Sequence, residues 1–141
     1  IDLNSKWKVA YEDQNQSDIV ITKHVVDMEN IQMLHIIRYP EDNSSLEEKA
    51  LKEKNQIKAF YKECDLTEIK ESNILEYSSV TFDYEYSEEF LHFKRVFVMQ
   101  AKNGSYYVFQ LLTTKNETWE QNIIEMTTLL KSFKSIGRNN E

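Results

Sequence analysis

The chain has 141 residues, of which 40% are hydrophobic and 12% aromatic, as is typical of one folded domain with its own core. Its formal net charge is −7 and its 17 basic residues form no stripe, so we exclude a nucleic-acid partner. One cysteine allows no intrachain disulfide, and none of the glycine-rich nucleotide-binding or nucleophile motifs is present. No apolar run approaches the ~18 residues of a membrane span.

The first part of the chain predicts three strands. Apolar residues alternate with polar ones over residues 7–11, and residues 19–26 are rich in β-branched side chains. A turn at residues 27–30 leads to a partner strand at residues 31–39. Both faces of this strand pair carry apolar residues, which indicates a sheet covered on both sides.

A helix follows the third strand. Ser44 with Glu47, or Ser45 with Glu48, forms a capping-box pattern, and we expect about four turns that end before Asp65. Its predicted buried side is Leu46, Ala50, Ile57 and Tyr61 with Phe60 beside them, and its predicted exposed side is Glu47, Glu48, Lys52, Glu53 and Lys58.

The later part of the chain predicts an antiparallel meander. Strands are expected at residues 79–86, 90–101 and 105–113, and Asn103-Gly104 between the last two suits a tight type I′ turn. Alternation predicts that successive side chains of these strands point to opposite faces of the sheet. Because the connections are short, neighbouring strands must pair antiparallel.

A second helix is expected to close the chain. Thr118 and Gln121 form a start signal, and Gly137 lies where a C-terminal cap belongs. The apolar stripe of this helix is Trp119, Ile123, Met126, Leu130 and Phe133.

The order of elements predicts an α+β fold with a central antiparallel sheet of about six to seven strands, flanked by two helices. Residues 66–77 contribute the weakest strand, which we expect to be partly exposed. We predict a single domain over residues 1–137 and a polar tail at residues 138–141.

The arrangement of motifs resembles the PsbP-like (also Mog-like and DcrB-like) α/β/α sandwich superfamily. The resemblance rests on Trp7-Lys8-Val9, on Leu46 to Ala50, on the aromatic strands Phe82 to Tyr86, Arg95 to Val98 and Tyr106 to Phe109, and on Trp119 and Ser132-Phe133-Lys134. It implies a non-catalytic binding or assembly module. Bacterial members are often extracytoplasmic lipoproteins, some serving as adaptors for secreted cargo; plant relatives support a photosystem, and a nuclear branch binds a small GTPase. The sparse glycine and proline depart from typical members, and no residue carries over as a site.

Two histidines, His24 and His35, are candidate metal ligands. If residues 27–30 form a four-residue loop, His24 lies opposite Met33 and His35 lies opposite Thr22. The two imidazoles are then diagonal neighbours on one face of the sheet. A metal site needs a third ligand, and none is evident, so we predict no metal and no cofactor.

Four acidic residues and the cysteine are candidate catalytic groups. Asp83 and Glu85 share a strand face, and Glu88 and Glu89 lie in the next turn, so paired acid–base chemistry is one interpretation. These carboxylates lie opposite the aromatic face of their strand, which predicts a solvated edge instead. Cys64 has acidic neighbours near a helix C-terminus, which argues against a reactive thiolate.

The aromatic side chains are the candidate partner surface. Tyrosine suits such surfaces because it offers apolar area with a polar tip. The alternative, packing beneath the two helices, applies to most of them. The six residues are Tyr77, Tyr84, Tyr86, Phe90, Tyr106 and Tyr107.

The sequence therefore predicts a non-enzymatic module with a protein partner. Because the chain begins at Ile1 rather than Met, we expect a processed or trimmed product, and an exported lipoprotein with a lipid tether upstream of Ile1 is the first hypothesis. A cytoplasmic chaperone or adaptor for a secreted or membrane cargo is the alternative. A small hydrolase or metal enzyme using His24, His35 or the acids of residues 83–89 is the third hypothesis.

Overall fold

The computed structural model describes residues 7–12, 18–23, 28–75, 77–100 and 104–132. Within these ranges the chain forms one antiparallel sheet and two α-helices, which confirms the α+β fold class. None of the helices in these ranges combines the length and the apolar character that a membrane crossing requires.

The described elements follow the predicted order. The strands are β1 (Trp7–Glu12), β2 (Asp18–Lys23), β3 (Gln32–Pro40), β4 (Cys64–Leu66), β5 (Lys70–Ser72), β6 (Ser79–Ser87), β7 (Leu91–Gln100) and β8 (Ser105–Thr114). The helices are α1 (Leu46–Phe60) and α2 (Trp119–Lys131), and a short 3₁₀ helix spans Met28–Asn30. The weak strand predicted for residues 66–77 is wrong in form, because β4 and β5 are two separate three-residue strands.

The sheet order is β1-β2-β3-β8-β7-β6-β4, and β5 pairs with the other end of β6, on the same edge as β4. The sheet thus holds eight described strands in seven positions, where six to seven strands were predicted. Thr67 closes the gap between β4 and β5, since its amide donates to the Asp83 carbonyl at 2.9 Å. Its hydroxyl in turn accepts from the Asp83 amide at 2.8 Å, so β6 keeps its hydrogen bonds across the break.

The predicted register between β2 and β3 is wrong by two residues. Met33 lies opposite Thr22, and His35 lies opposite Val20. The reason is the connection: β2 ends at Lys23, and the 3₁₀ helix Met28–Asn30 takes part of a link that is longer than four residues. A longer link shifts every cross-strand pair.

Each helix packs on a different face of the sheet. The predicted alternation along β7 and β8 is confirmed, because their side chains divide between two buried clusters. The cluster beneath α1 contains Ala50, Ile57, Val80, Phe82, Tyr84, Tyr86, Val96, Val98, Tyr106 and Val108. The cluster beneath α2 contains Trp7, Ile21, Leu34, Ile36, Phe93, Phe97, Met99, Tyr107, Phe109, Leu111, Ile123, Met126, Leu129 and Leu130.

The start of α1 confirms one of the two predicted capping boxes. The Glu48 amide donates to Ser45 Oγ at 3.0 Å, and the Ser45 amide donates to Glu48 Oε1 at 2.8 Å. The predicted sides of the helix are wrong for two residues: Phe60 is 77% exposed and Glu53 only 7% exposed. Glu53 faces the sheet, while Phe60 lies at the last turn, past the main packing contact with β6 and β7.

The start of α2 differs from the prediction. Thr118 is the N-cap residue, but its side chain makes no capping hydrogen bond, so the Thr118–Gln121 box is wrong. The Thr118 hydroxyl instead donates to Asn116 Oδ1, which also accepts from the Thr118 amide. Gly104 has a φ of 79°, as the second central position of a type I′ turn requires. Asn103, Phe133 and Gly137 lie outside the described residues.

Candidate functional site

The six aromatic residues predicted as a partner surface do not form one surface. Four of them are buried, with side-chain exposures between 2% and 6%, because the helices cover both faces of the sheet. Tyr84, Tyr86 and Tyr106 lie beneath α1, Tyr107 and Tyr77 lie in or against the cluster beneath α2, and Phe90 lines an open cleft of about 500 Å³ at the end of the sheet.

A series of rings leads from the surface into the core at the end of α1. The Phe60 ring meets the Tyr61 ring edge-on at 4.7 Å between centroids, and Tyr61 stacks on Tyr86 at 4.2 Å. Tyr86 in turn stacks on His92 at 5.0 Å and on Tyr84 at 5.7 Å. We call these five residues the aromatic ladder. Its outer ring is largely exposed and its inner rings are fixed by packing.

The tyrosines of the ladder are kept neutral by burial. Burial raises the pKa of Tyr84 and of Tyr86 far above the usual tyrosine value, so both phenols stay protonated at physiological pH. Burial also raises the pKa of Tyr61, which hydrogen-bonds to Tyr86. His92 is 6% exposed, and its Nδ1 is a buried nitrogen without a hydrogen-bond partner in the described structure. These groups act as a packed support rather than as reactive side chains.

One side of α1 faces β8. Lys49, Glu53, Gln56 and Phe60 lie within about 60° of one another around the helix axis, at about 100° per residue. The contacts fix the direction of this side. The Lys49 ammonium lies 4.8 Å from the ring centroid of Tyr106 on β8, and Glu53 interacts electrostatically with Lys94 on β7. Phe60 therefore projects from the side of α1 that borders β8.

No described helix packs on the sheet beyond this side of α1. Helix α1 packs on β6 and β7, and α2 packs on the other face of β8. The α1 side of β2, β3 and β8 carries eight half-buried residues among those whose burial is described. One of them, Tyr39, stacks on Tyr106, and we call the other seven, four of them apolar, the open face. They are Val20, Thr22, Met33, His35, Ile37, Gln110 and Leu112.

Lys94 lies at the boundary between α1 and the open face. Its ammonium donates to Gln110 Oε1 at 3.3 Å and lies 5.7 Å from the ring centroid of Tyr84. It makes no ion pair with the carboxylates of the described chain. Burial lowers the pKa of Lys94 to about 8, although the negative charges of Glu53 and Glu88 act to raise this pKa. Burial likewise raises the pKa of Glu53.

The carboxylates predicted to be solvated are paired. Arg95 donates to both Asp83 oxygens, at 2.8 and 3.0 Å, and Lys115 donates to Glu85 at 2.6 Å. Asp83 and Glu85 lie on the face opposite Phe82 and Tyr84, as predicted, but they are half-buried and ion-paired there rather than fully solvated.

The remaining predicted ligands do not converge. His24 lies outside the described residues, and His35 stands opposite Gln110 on the open face. Cys64 begins β4, and its thiol donates to the Tyr61 carbonyl at 3.4 Å. No group of three or more His, Cys, Asp or Glu side chains that could hold a metal ion occurs in the described part of the chain.

Sequence reasoning missed Phe60, Glu53 and Lys94 as residues of interest. The signal for Phe60 was the spacing of positions 49, 53, 56 and 60, which places four residues on one side of a helix. Because two of these four residues are charged, the sequence pattern predicts that this side of the helix is solvent-exposed. Lys94 gave a clearer signal, as a lysine within the apolar alternation of a central strand.

No protein-family model and no curated protein matches this sequence. Solved structures do match. LpqN, involved in cell envelope biogenesis of Mycobacterium tuberculosis, has a TM-score of 0.60 at 12% identity, over 94% of this chain and 79% of that chain. A Pseudomonas aeruginosa protein of unknown function, PA94, has a TM-score of 0.66 at 13% identity, over 89% of this chain and 86% of that one.

A third match is the solution structure of cyanobacterial PsbP (CyanoP) from Synechocystis sp. PCC 6803. It has a TM-score of 0.60 at 11% identity, over 92% of this chain and 81% of that chain. At such identities the likeness concerns the fold alone. The PsbP-like fold that the sequence motifs predicted is thereby confirmed.

Proposed function

We propose that this protein is a non-enzymatic binding or assembly module whose protein partner docks on the open face beside α1. The observation that carries the proposal is Phe60, which is 77% exposed and occupies the side of α1 that Lys49 and Glu53 direct towards β8 and β7. The half-buried, largely apolar open face begins at β8. Apolar sheet faces are normally covered by another layer of structure. A partner would supply that layer here.

The aromatic ladder supports Phe60 as an anchor for the partner. A single exposed apolar residue is common on protein surfaces. Phe60 differs because its ring rests on Tyr61, which is itself stacked on the buried Tyr86. A ring held in this way loses little conformational freedom on binding, and aromatic residues of this kind are typical binding hot spots.

The chemistry of the charged groups supports a role without catalysis. The carboxylates of Asp83 and Glu85 are paired with cations, and the phenols of Tyr84 and Tyr86 are held neutral by burial. A general base near neutral pH needs a free group within reach of a substrate. The half-buried apolar side chains of the open face suit contact with a protein better than acid–base chemistry.

The solved relatives support an envelope location. LpqN is described as involved in cell envelope biogenesis, and it shares the fold of this chain. We propose an exported, extracytoplasmic domain, tethered to a membrane by a lipid upstream of Ile1. A leader that ends in a small-residue motif and a cysteine in the full gene product would support this location. Recovery of the native protein only from the cytoplasm would favour the adaptor for a secreted or membrane cargo instead.

Photo-crosslinking in the native host tests the binding surface. Benzoylphenylalanine replaces Phe60 in one variant and Ile124 in a control, because Ile124 is also exposed (57%) but lies on α2, on the other side of the sheet. We expect a discrete protein adduct from position 60 that is absent from position 124. The same adducts from both positions, or none from position 60, would contradict the proposal.

A further inference from the structure

The hydrogen bonding of the sheet restricts what can dock on the open face. Strand β3 pairs with β2 on one side and β8 on the other, and β8 pairs with β3 and β7. The backbone groups of both strands are therefore already committed, so a partner cannot add a strand here. A partner can therefore contact only the side chains of the open face. A partner segment must satisfy its own backbone hydrogen bonds, which a helix does within a single segment.

The shape beside α1 also suits a helix. Helix α1 stands on β6 and β7, and the open face begins at the next strand, β8. Packed helices lie about 8–10 Å apart. Neighbouring strands are about 4.8 Å apart, so a helix lying beside α1 would rest over β8 and β3. Met33, Ile37 and Leu112, the large apolar residues of the open face, lie on these two strands.

The charge of Lys94 determines which kind of side chain we expect on the flank of that helix. Lys94 is the cation at the boundary with α1, and its ammonium donates a hydrogen bond to the neutral amide of Gln110. Glu53 on α1 attracts it electrostatically but forms no ion pair with it. The chain as a whole is acidic, but β8, the strand next to Lys94, carries no carboxylate on the open face. The acidic position on the α1 side of β2 is Asp18, opposite Ile37, and it lies three strands away from Lys94. A half-buried ammonium held by an amide is incompletely stabilised, and a carboxylate is the strongest partner it can gain.

We propose that the open face binds an amphipathic helix of a partner protein, with its apolar stripe on Met33, Ile37 and Leu112, and with a carboxylate on its α1-facing flank that pairs with Lys94. This inference rests on the proposed binding function and names the chemistry of the partner.

Stapled helical peptides test the inference directly. The probe has about four turns, leucines along one side and one glutamate on the flank of that stripe. A matched peptide carries glutamine in place of the glutamate. Each is titrated into isotope-labelled wild-type protein, into Lys94→Gln, and into the control Lys52→Gln, which removes the same charge from an exposed position of α1.

We expect the glutamate peptide to shift the methyl signals of Met33, Ile37 and Leu112 and to leave those of Met126, beneath α2, unchanged. Its affinity should fall about tenfold when either the glutamate or Lys94 is neutralised, and should not change in Lys52→Gln. Equal affinities of the two peptides would overturn the pairing with Lys94. Shifts elsewhere, or no binding, would overturn helix docking, while the adduct from position 60 reports separately on the proposed function.

Discussion

The ammonium of Lys49 lies 2.9 Å from a carboxylate oxygen of Glu41, although the Lys49 side chain has no solvent exposure. The same ammonium is 3.2 Å from Asp42 and donates to the carbonyl and hydroxyl of Ser44. Lys49 therefore ties the loop after β3 to the first turn of α1, and so fixes the helix whose far end carries Phe60.

Removing this ammonium should destabilise the fold. We expect Lys49→Met to lower the free energy of unfolding by about 1–3 kcal/mol, since the loop carboxylates lose their partner but stay partly hydrated. Urea titration measures the change. Lys52→Met, at an exposed position of the same helix, is the control and should stay within about 0.5 kcal/mol of wild type. An equal effect of both substitutions would contradict the role assigned to Lys49.

The same loop should contribute to acid sensitivity. Hydrogen bonds from Ser44, with Lys49 adding to them, hold the pKa of Asp42 well below its ordinary value of 3.8. Stabilisation from a depressed pKa is present above the unfolded value and is lost as pH falls through the folded one. We expect Asp42→Asn to flatten the decline of unfolding free energy below pH 4. Identical declines for wild type and variant would refute this.

Substitutions at the outer and inner ends of the aromatic ladder should differ strongly in their effect on the free energy of unfolding. Phe60→Ala should change the free energy of unfolding by less than about 0.5 kcal/mol, because the ring is mostly exposed. Tyr86→Ala should cost about 3 kcal/mol or more, because that ring is buried between Tyr61 and His92. Thermal or urea unfolding distinguishes the two. A large loss in Phe60→Ala would mean that Phe60 is part of the core rather than of a docking surface.

Lys94 should make stability depend on pH in the alkaline range. Its pKa is about 8 in the folded protein, against an ordinary value of 10.5. Between these values the unfolded chain retains a proton that the folded chain has lost, so the free energy of unfolding rises with pH.

The measurement compares wild type with Lys94→Met at pH 7 and pH 9.5. Other lysines and tyrosines are common to both proteins and cancel in the difference. We expect wild type to gain stability relative to the variant as pH increases. A difference that does not vary with pH would show that Lys94 is as well solvated as an ordinary surface lysine.

The meander was predictable because alternation over β6, β7 and β8 is a local signal. The side chains of Phe93 and Val96 are found on the two faces that their positions in β7 dictate. The register of β2 and β3 was not predictable in this way, because it depends on the length of a connection that carries no strong turn motif. A two-residue difference there moved His35 from opposite Thr22 to opposite Val20.

Most of the candidate site could not be predicted from the sequence, for a different reason. Tyr84 and Tyr106 looked like surface residues by chemistry, yet their burial depends on where α1 lies across the sheet. Phe60 looked like core by hydrophobicity, yet the helix ends before the sheet can cover it. Which part of a sheet a helix leaves uncovered is a tertiary property, and no local pattern in the sequence reports it.

Hydroxyl-radical footprinting tests the central claim most directly. The protein is labelled in its native host and, separately, after purification, and side-chain oxidation is read by mass spectrometry. We predict that Phe60 and Met33 are oxidised more slowly in the host than in the purified protein, while the exposed Ile124 on α2 reacts equally in both. Equal oxidation of Phe60 in the two samples would contradict the claim that this side of the sheet is where a partner binds.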